Sequence, residues 1–227
     1  MFYINQNDSD EPSELLQEIL ILSSRSSQRC LKLPLHVIRL SLDAEYTGYS
    51  RNIHYMSLYK FVKFIEFLPE ENIRFIMQQL LLFSNECKQA HLFPKLISRS
   101  NIYVNTQNLH VKLIIPKSTL PFKKSIFFTN LHCSTYYLPP EWIRNKHYFA
   151  DSLLTWNMGL LLFFMIYNKM PFQTKWEIVH APVILKSDIN ISLEVNLLIG
   201  WCLAKKRTKR ITLNQIIHHP WVTQNYI

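Results

Sequence analysis

Leu138-Pro139-Pro140-Glu141-Trp142-Ile143, Trp156-Asn157-Met158-Gly159 and Met170-Pro171-Phe172 stand in that order around one long apolar stretch. Ser152 to Tyr167 is apolar on every side. A helix of that kind has no polar face to offer water, so it belongs at the centre of a helical lobe. Its longest unbroken apolar run, Met158 to Tyr167, is about half the ~20 residues that a bilayer span needs. It reads as a core helix, and Met170-Pro171-Phe172 breaks it.

Working outward, Ser192 and Glu194 open another helix that ends near Ala204. Thr212-Leu213-Asn214-Gln215 fits a capping box for a final short helix, which Pro220 ends. On the upstream side, Leu58, Phe61, Val62 and Ile65 share one helix face. Pro69, Glu70 and Glu71 open a second helix, with proline at the start and acids in the first turn. Ile73, Ile76, Met77, Leu80 and Leu81 then recur at helical spacing, and the helix ends near Ala90. Ile102-Tyr103-Val104 and His110 to Ile115 are β-like, with Thr106-Gln107-Asn108 as the turn. Residues 116 to 138 have no clear period and read as a long loop. Before Ser57 the signals are weaker. Ser13 can cap a helix through Leu22, Pro34 opens an extended stretch from His36 to Leu42, Gly48 marks a turn and Ile53 to Met56 reads as a short strand. This predicts an α+β, mainly α chain: an N-terminal segment, 1–55, and a helical lobe, 56–227.

Composition narrows the chemistry. There are 227 residues and three glycines, Gly48, Gly159 and Gly200, none close to another. Phosphate cradles need clustered glycines so that backbone N–H groups can approach the anion, so no such loop exists here. Cys30, Cys87, Cys133 and Cys202 form no C-x-x-C pair and have no histidine at finger spacing. A zinc site is therefore not expected, and isolated thiols suit a reducing compartment. Met1-Phe2-Tyr3, followed by Asn7, Asp8 and Asp10, does not read as a signal peptide. The expected location is intracellular, in cytoplasm or nucleus. Between Glu86 and Glu141 there is no carboxylate, while Lys88, Lys95, Arg99, Lys112, Lys117, Lys123 and Lys124 fall in that gap. Side-chain carboxylates from this segment cannot hold a magnesium ion or act as a general base.

The quoted landmarks carry a resemblance. Leu138 to Ile143 resembles the A-P-E closure of a protein-kinase activation segment. Trp156-Asn157-Met158-Gly159 resembles the W-S-x-G of the central kinase helix, and Met170-Pro171-Phe172 the x-P-F after it. Trp201-Cys202-Leu203-Ala204, Arg210-Ile211-Thr212 and His218-His219-Pro220-Trp221 are similar to the W-C-L, R-P-T and H-P-W run that ends kinase domains. Together they look like the C-lobe of the Pim family of serine/threonine kinases, from about Ser57 to Val222. The resemblance implies that Glu141 and Arg210 form a structural ion pair. It also implies a longer nucleotide-binding lobe than the 100 residues before Asn101, so a reduced or remnant N-lobe is expected.

The departures fall on the chemistry. Kinases carry H-R-D-x-K-x-x-N in the catalytic loop. Counted back from Asn101, the aspartate position is Leu96, the preceding Arg and His positions are Lys95 and Pro94, and the lysine position is Ser98. The D-F-G positions are Ile115, Pro116 and Lys117. Isoleucine neither accepts a proton nor binds a metal. Only Asn101 is retained, and a loop hydrogen-bonding role is expected of it. Acids that Pim-type kinases place on the first C-lobe helix are replaced by Ser57 and Lys60, with Lys63 nearby.

The resulting expectation is a pseudokinase without cofactor or metal. It would bind a protein partner, a kinase or a kinase substrate, as inhibitor, decoy or scaffold. ATP binding and membrane association are not expected. The alternatives are an unconventional ATP-dependent kinase and a basic nucleic-acid-binding adaptor. The second draws on the net charge of +9 and on Lys205, Lys206, Arg207, Lys209 and Arg210. Trp142, Trp156, Trp201 and Trp221 are expected in the core, and His218-His219 at a helix cap.

Overall fold

Ser57 is both the end of a strand and a helix cap. Its Oγ accepts from the Lys60 backbone N–H at 3.3 Å, which satisfies one of the orphan donors of α1 (Leu58–Phe64). The computed structural model of the protein describes residues 54–65, 67–89, 92–93, 97–113, 120–121, 127–129, 131, 133–185 and 191–224. The expectations for the helix at 13–22, the stretch 36–42, Gly48 and Cys30 lie outside the described residues.

Leu58, Phe61 and Val62 bury one face of α1. α2 (Glu70–Gln89) buries Ile73, Ile76, Met77, Leu80 and Leu81 at helical spacing. β1 (Tyr55–Ser57), β3 (Ile102–Asn105) and β4 (Val111–Leu113) form an antiparallel sheet in the order β1-β3-β4. In register, Met56 faces Val104 and Val104 faces Val111. Ile102 and Val104 point into the core while Tyr103 and Asn105 point outward, the period-2 alternation of a half-buried sheet. The turn after β3 is built by Asn105, whose Oδ1 accepts from the N–H groups of Gln107 at 2.8 Å and Asn108 at 3.3 Å. Gln79 on α2 fixes it by accepting from Val111 N–H at 2.9 Å and donating to the Leu109 carbonyl at 3.0 Å.

The stretch expected as a long loop contains short elements. β5 (Leu120–Pro121) pairs with β2 (Leu92–Phe93), and β6 (Phe127–Phe128) pairs with β7 (Tyr148–Phe149). A 3-10 turn covers Thr135–Tyr137. Two-residue pairings are too short to leave a readable alternation. α3 (Pro140–Asn145) has proline in its first turn and ends at Lys146 in the left-handed region, φ 58°. α4 (Ala150–Tyr167) is the apolar helix, buried from Ser152 to Met165 on all sides. By length and composition it could cross a membrane, but 89% of the span is buried within this fold. α5 (Lys175–His180), α6 (Leu193–Cys202) and α7 (Leu213–Ile217) follow, and the Thr212–Gln215 capping box is formed in both directions. Pro220 corrects the reading made of it. It does not simply end α7 but starts α8 (Pro220–Thr223), with the His219 side chain accepting from Trp221 N–H at 3.2 Å. Proline at the first helical position loses no hydrogen bond there.

The core is centred on α4, which lies between α2 and α6. Gly159 explains how closely α6 approaches. A Cβ on it would stand 2.6 Å from Cys202 Cβ and 2.9 Å from Leu203 side-chain atoms. Trp156 and Trp221 are fully buried, and Trp156 stacks on Phe172 at 5.9 Å and 9°. Trp142 is half-buried, and Trp201, expected inside, is 46% exposed. The structure is mainly helical with one small three-stranded sheet, the expected α+β class.

Candidate functional site

The loop before β3 is anchored by Ile97 and Ser98, both buried. Ser98 and Asn101 close it on themselves. Asn101 Oδ1 accepts from Ser98 N–H at 2.7 Å and from Ser98 Oγ at 3.0 Å, while Asn101 N–H donates to the Ser98 carbonyl at 3.2 Å. Ser98 Oγ also meets Ser100 Oγ at 2.9 Å. Of the positions singled out in the sequence, Ser98 and Asn101 are therefore brought together. Leu96 and Ile115 lie outside the described residues, as do Pro94, Lys95, Pro116 and Lys117.

Arg99 ties this loop to three other elements. Its carbonyl accepts from Tyr59 N–H on α1 at 3.0 Å, and its own N–H donates to Tyr137 Oη at 3.0 Å. Its guanidinium lies 4.7 Å from the ring centres of Tyr59 and of Phe164 on α4. Burial pushes the Tyr137 phenol above its ordinary pKa, opposed by the Arg99 hydrogen bond and charge. A hydroxyl held that way is a hydrogen-bond acceptor at neutral pH and not a base. Hydroxyls, an amide and a guanidinium can position and hydrogen-bond. None of them readily takes up a proton at neutral pH.

Glu141 and Arg210 meet in the core. Arg210 Nη1 donates to Glu141 Oε1 and Nη2 to Oε2, each at 2.8 Å. Nη1 also donates to the Ser152 carbonyl at 2.9 Å and to Ser152 Oγ at 2.7 Å, and Nε to the Ala204 carbonyl at 3.2 Å. Burial raises the Glu141 pKa, but the Arg210 hydrogen bonds and charge outweigh it and hold the carboxyl below its ordinary value. The pair thus joins α3, α4 and the segment before α7.

The basic cluster is divided. Lys205 turns inward, donating to the carbonyls of Ile178 at 2.8 Å and Glu177 at 3.2 Å, with Nζ 3.3 Å over the Phe172 ring. Burial, with the charges of Arg144 and Arg210, lowers its pKa to about 7. Arg210 is buried and Arg207 lies 4.1 Å over Phe149. Lys206, Arg207 and Lys209 are exposed. His219 caps α8 from a buried position, and His218 Nδ1 meets the Asn214 carbonyl at 2.8 Å.

Sequence reasoning missed Glu70. Its carboxylate accepts from Ser192 N–H at 2.7 Å, Ser192 Oγ at 2.6 Å and Trp221 Nε1 at 2.6 Å, and Arg74 stands 3.5 Å away. Burial works against the charge, yet these hydrogen bonds lower its pKa. An acid in the first turn is the only local sign, and it says nothing of partners over a hundred residues away.

A protein kinase domain model matches residues 3–222, so the match extends upstream of Ser57, where the sequence landmarks are faint. Serine/threonine-protein kinase pim-2 of Danio rerio is 30% identical over 176 residues, 77% of this chain and 55% of that protein. Serine/threonine-protein kinase prk-2 of Caenorhabditis elegans is 26% identical over 171 residues, 74% of this chain and 38% of that protein. Sperm motility kinase 2B of Mus musculus is 27% identical over 178 residues, 74% of this chain and 35% of that protein. The chain thus spans between about a third and just over half the length of these relatives. The helical lobe built around α4, the landmarks on it and the family match agree: the chain belongs to the protein kinase family and is similar to its Pim members.

Proposed function

We propose that this protein keeps the kinase lobe as a binding platform and does not transfer phosphate. It acts inside the cell on a protein partner, a kinase or a kinase substrate. The observation that carries this reading is the loop at 98–101. Phosphoryl transfer needs a base near the hydroxyl nucleophile and carboxylate-held magnesium. Here the sequence puts Leu96 and Ile115 at the aspartate positions, and the retained Asn101 spends its Oδ1 on the N–H and Oγ of Ser98. The Glu141–Arg210 pair supports the same reading from the other side. Losing one partner of a buried ion pair is costly, so a lobe that holds both can still fold and present surfaces. Two of the five cations at 205–210, Lys205 and Arg210, serve internal contacts, which leaves fewer free cations for a nucleic acid.

The test is phosphate incorporation from labelled ATP with magnesium or manganese, using the full chain and mixed basic and acidic peptide substrates. No incorporation above background is expected. Incorporation that disappears in Asn101→Ala would overturn the proposal.

A further inference from the structure

α1 shows two unlike faces. Leu58, Phe61 and Val62 are buried, whereas Tyr59, Lys60, Lys63 and Phe64 are exposed. Tyr59 and Lys63, and likewise Lys60 and Phe64, are four residues apart and so share the outer surface. Phe64 is 78% exposed and Phe67, just beyond the helix, 61%. Single exposed apolar residues are ordinary, but several on one short element mark a contact surface.

Among the described residues, the charges on α1 itself have one sign. Lys60 and Lys63 stand on α1 itself, and Lys63 Nζ donates to the Asn168 carbonyl at the end of α4 at 3.0 Å. Lys169, exposed, follows there, and the Arg99 guanidinium lies against Tyr59 at the other end. Among the described residues from 54 to 68 there is no carboxylate; Glu66 lies outside them. The nearest acid of α2, Glu70, is committed to Ser192 and Trp221, and Glu71 is exposed.

We infer that the outer face of α1, with Lys169 and Arg99 at its ends, docks an acidic polypeptide segment that carries apolar side chains between its carboxylates. This rests on the binding-platform reading and names its partner class. Electrostatic complementarity selects the sign of the partner, and the exposed rings supply apolar contact. A polypeptide suits the face better than a nucleic acid. Its cations stand singly between aromatic rings, so they form no unbroken track for a phosphate backbone.

The experiment titrates the full chain into fluorescein-labelled peptides of equal length, one alternating Glu with Leu or Phe, one alternating Lys with the same residues. The acidic peptide is expected to bind with a salt-dependent affinity and the basic one not to. Lys60→Glu with Lys169→Glu should weaken the acidic peptide about tenfold, as two exposed charge pairs allow, and should gain binding of the basic peptide. Phe64→Ser with Phe67→Ser should weaken it with little change in salt dependence, which keeps the test sound if the charge variant folds poorly. Equal binding of both peptides, an unchanged affinity in both double variants, or equally tight competition by single-stranded DNA overturns the docking inference. Phosphate incorporated into the bound peptide overturns the no-transfer reading and leaves the docking inference standing.

Discussion

Replacing Arg210 with methionine would leave the Glu141 carboxylate in place with one remaining side-chain donor, Ser152 Oγ at 3.0 Å. Both groups are buried, so water cannot take over the role of the guanidinium. Breaking a buried pair by removing one partner costs about 3–5 kcal/mol, because the other charge is stranded. The Ser152 bond and the methionine stem favour the lower end. About 3 kcal/mol in a chain of this size lowers Tm by roughly 6–12 °C. The pH dependence identifies the cause. In the native chain Glu141 has a lowered pKa, so its contribution is present above the ordinary carboxylate range and is lost as pH falls through the depressed value. In the variant the Arg210 bonds and charge are gone, and burial is opposed only by the hydrogen bonds from Ser152 and the Glu141 backbone, so that pKa rises relative to the native chain and protonation relieves the penalty as pH falls. The stability gap between native and variant protein, measured by urea unfolding, should be widest at neutral pH and narrow towards acid pH. A cost under about 1 kcal/mol, or a gap that does not change with pH, would refute the argument. Glu141→Gln with Arg210→Met together should cost less than Arg210→Met alone, since no charge is then left unpaired.

Other outcomes follow from the same packing. Gly159→Ala should destabilise by about 1–3 kcal/mol, because its Cβ collides with Cys202 and Leu203, while Gly200→Ala, which meets nothing within 4 Å, should stabilise by about 0.5–1 kcal/mol; thermal melts of the two variants should move in opposite directions. Glu70→Ala strands the donors of Ser192 and Trp221 and should cost about 2–4 kcal/mol in urea unfolding, with a partial recovery in Glu70→Gln. Burial lifts the thiols of Cys87 and Cys202 to about 12 and that of Cys133 to about 11. Iodoacetamide should therefore leave Cys87 and Cys202 unlabelled at neutral pH until urea opens the fold, as read by mass spectrometry.

How far the fold could be read in advance depended on how local the determinants were. α4 and α2 were legible because each writes its environment into a long run, apolar all round in one and one-sided in the other. The Thr212 capping box was legible because both partners lie within one turn. α3 and α8 were missed because each starts at a proline, and a proline read as an ending looks the same as one read as a beginning. Trp201 was expected inside because size and hydrophobicity favour burial. Its place on the outer side of α6 is set by which face meets α4, and Gly159 helps decide that. At the site, the Ser98–Asn101 pairing spans three residues and agrees with the loop role expected of Asn101. Arg99 was passed over, since its partners Tyr59, Tyr137 and Phe164 come from three separate elements.

The Glu70 carboxylate has a consequence for the order in which the protein can be made. Its donors, Ser192 and Trp221, come 122 and 151 residues later in the chain. A ribosome adding about 5–20 residues per second keeps that acid waiting for several seconds after it has emerged. Until Ser192 and Trp221 arrive, the start of α2 leaves that carboxylate to water, and the hydrogen bonds that tie it into the lobe are unmade. The lobe closes over the start of α2 only when α8 packs back onto it, after both have been made, and the interval between the two is one in which a chaperone can act.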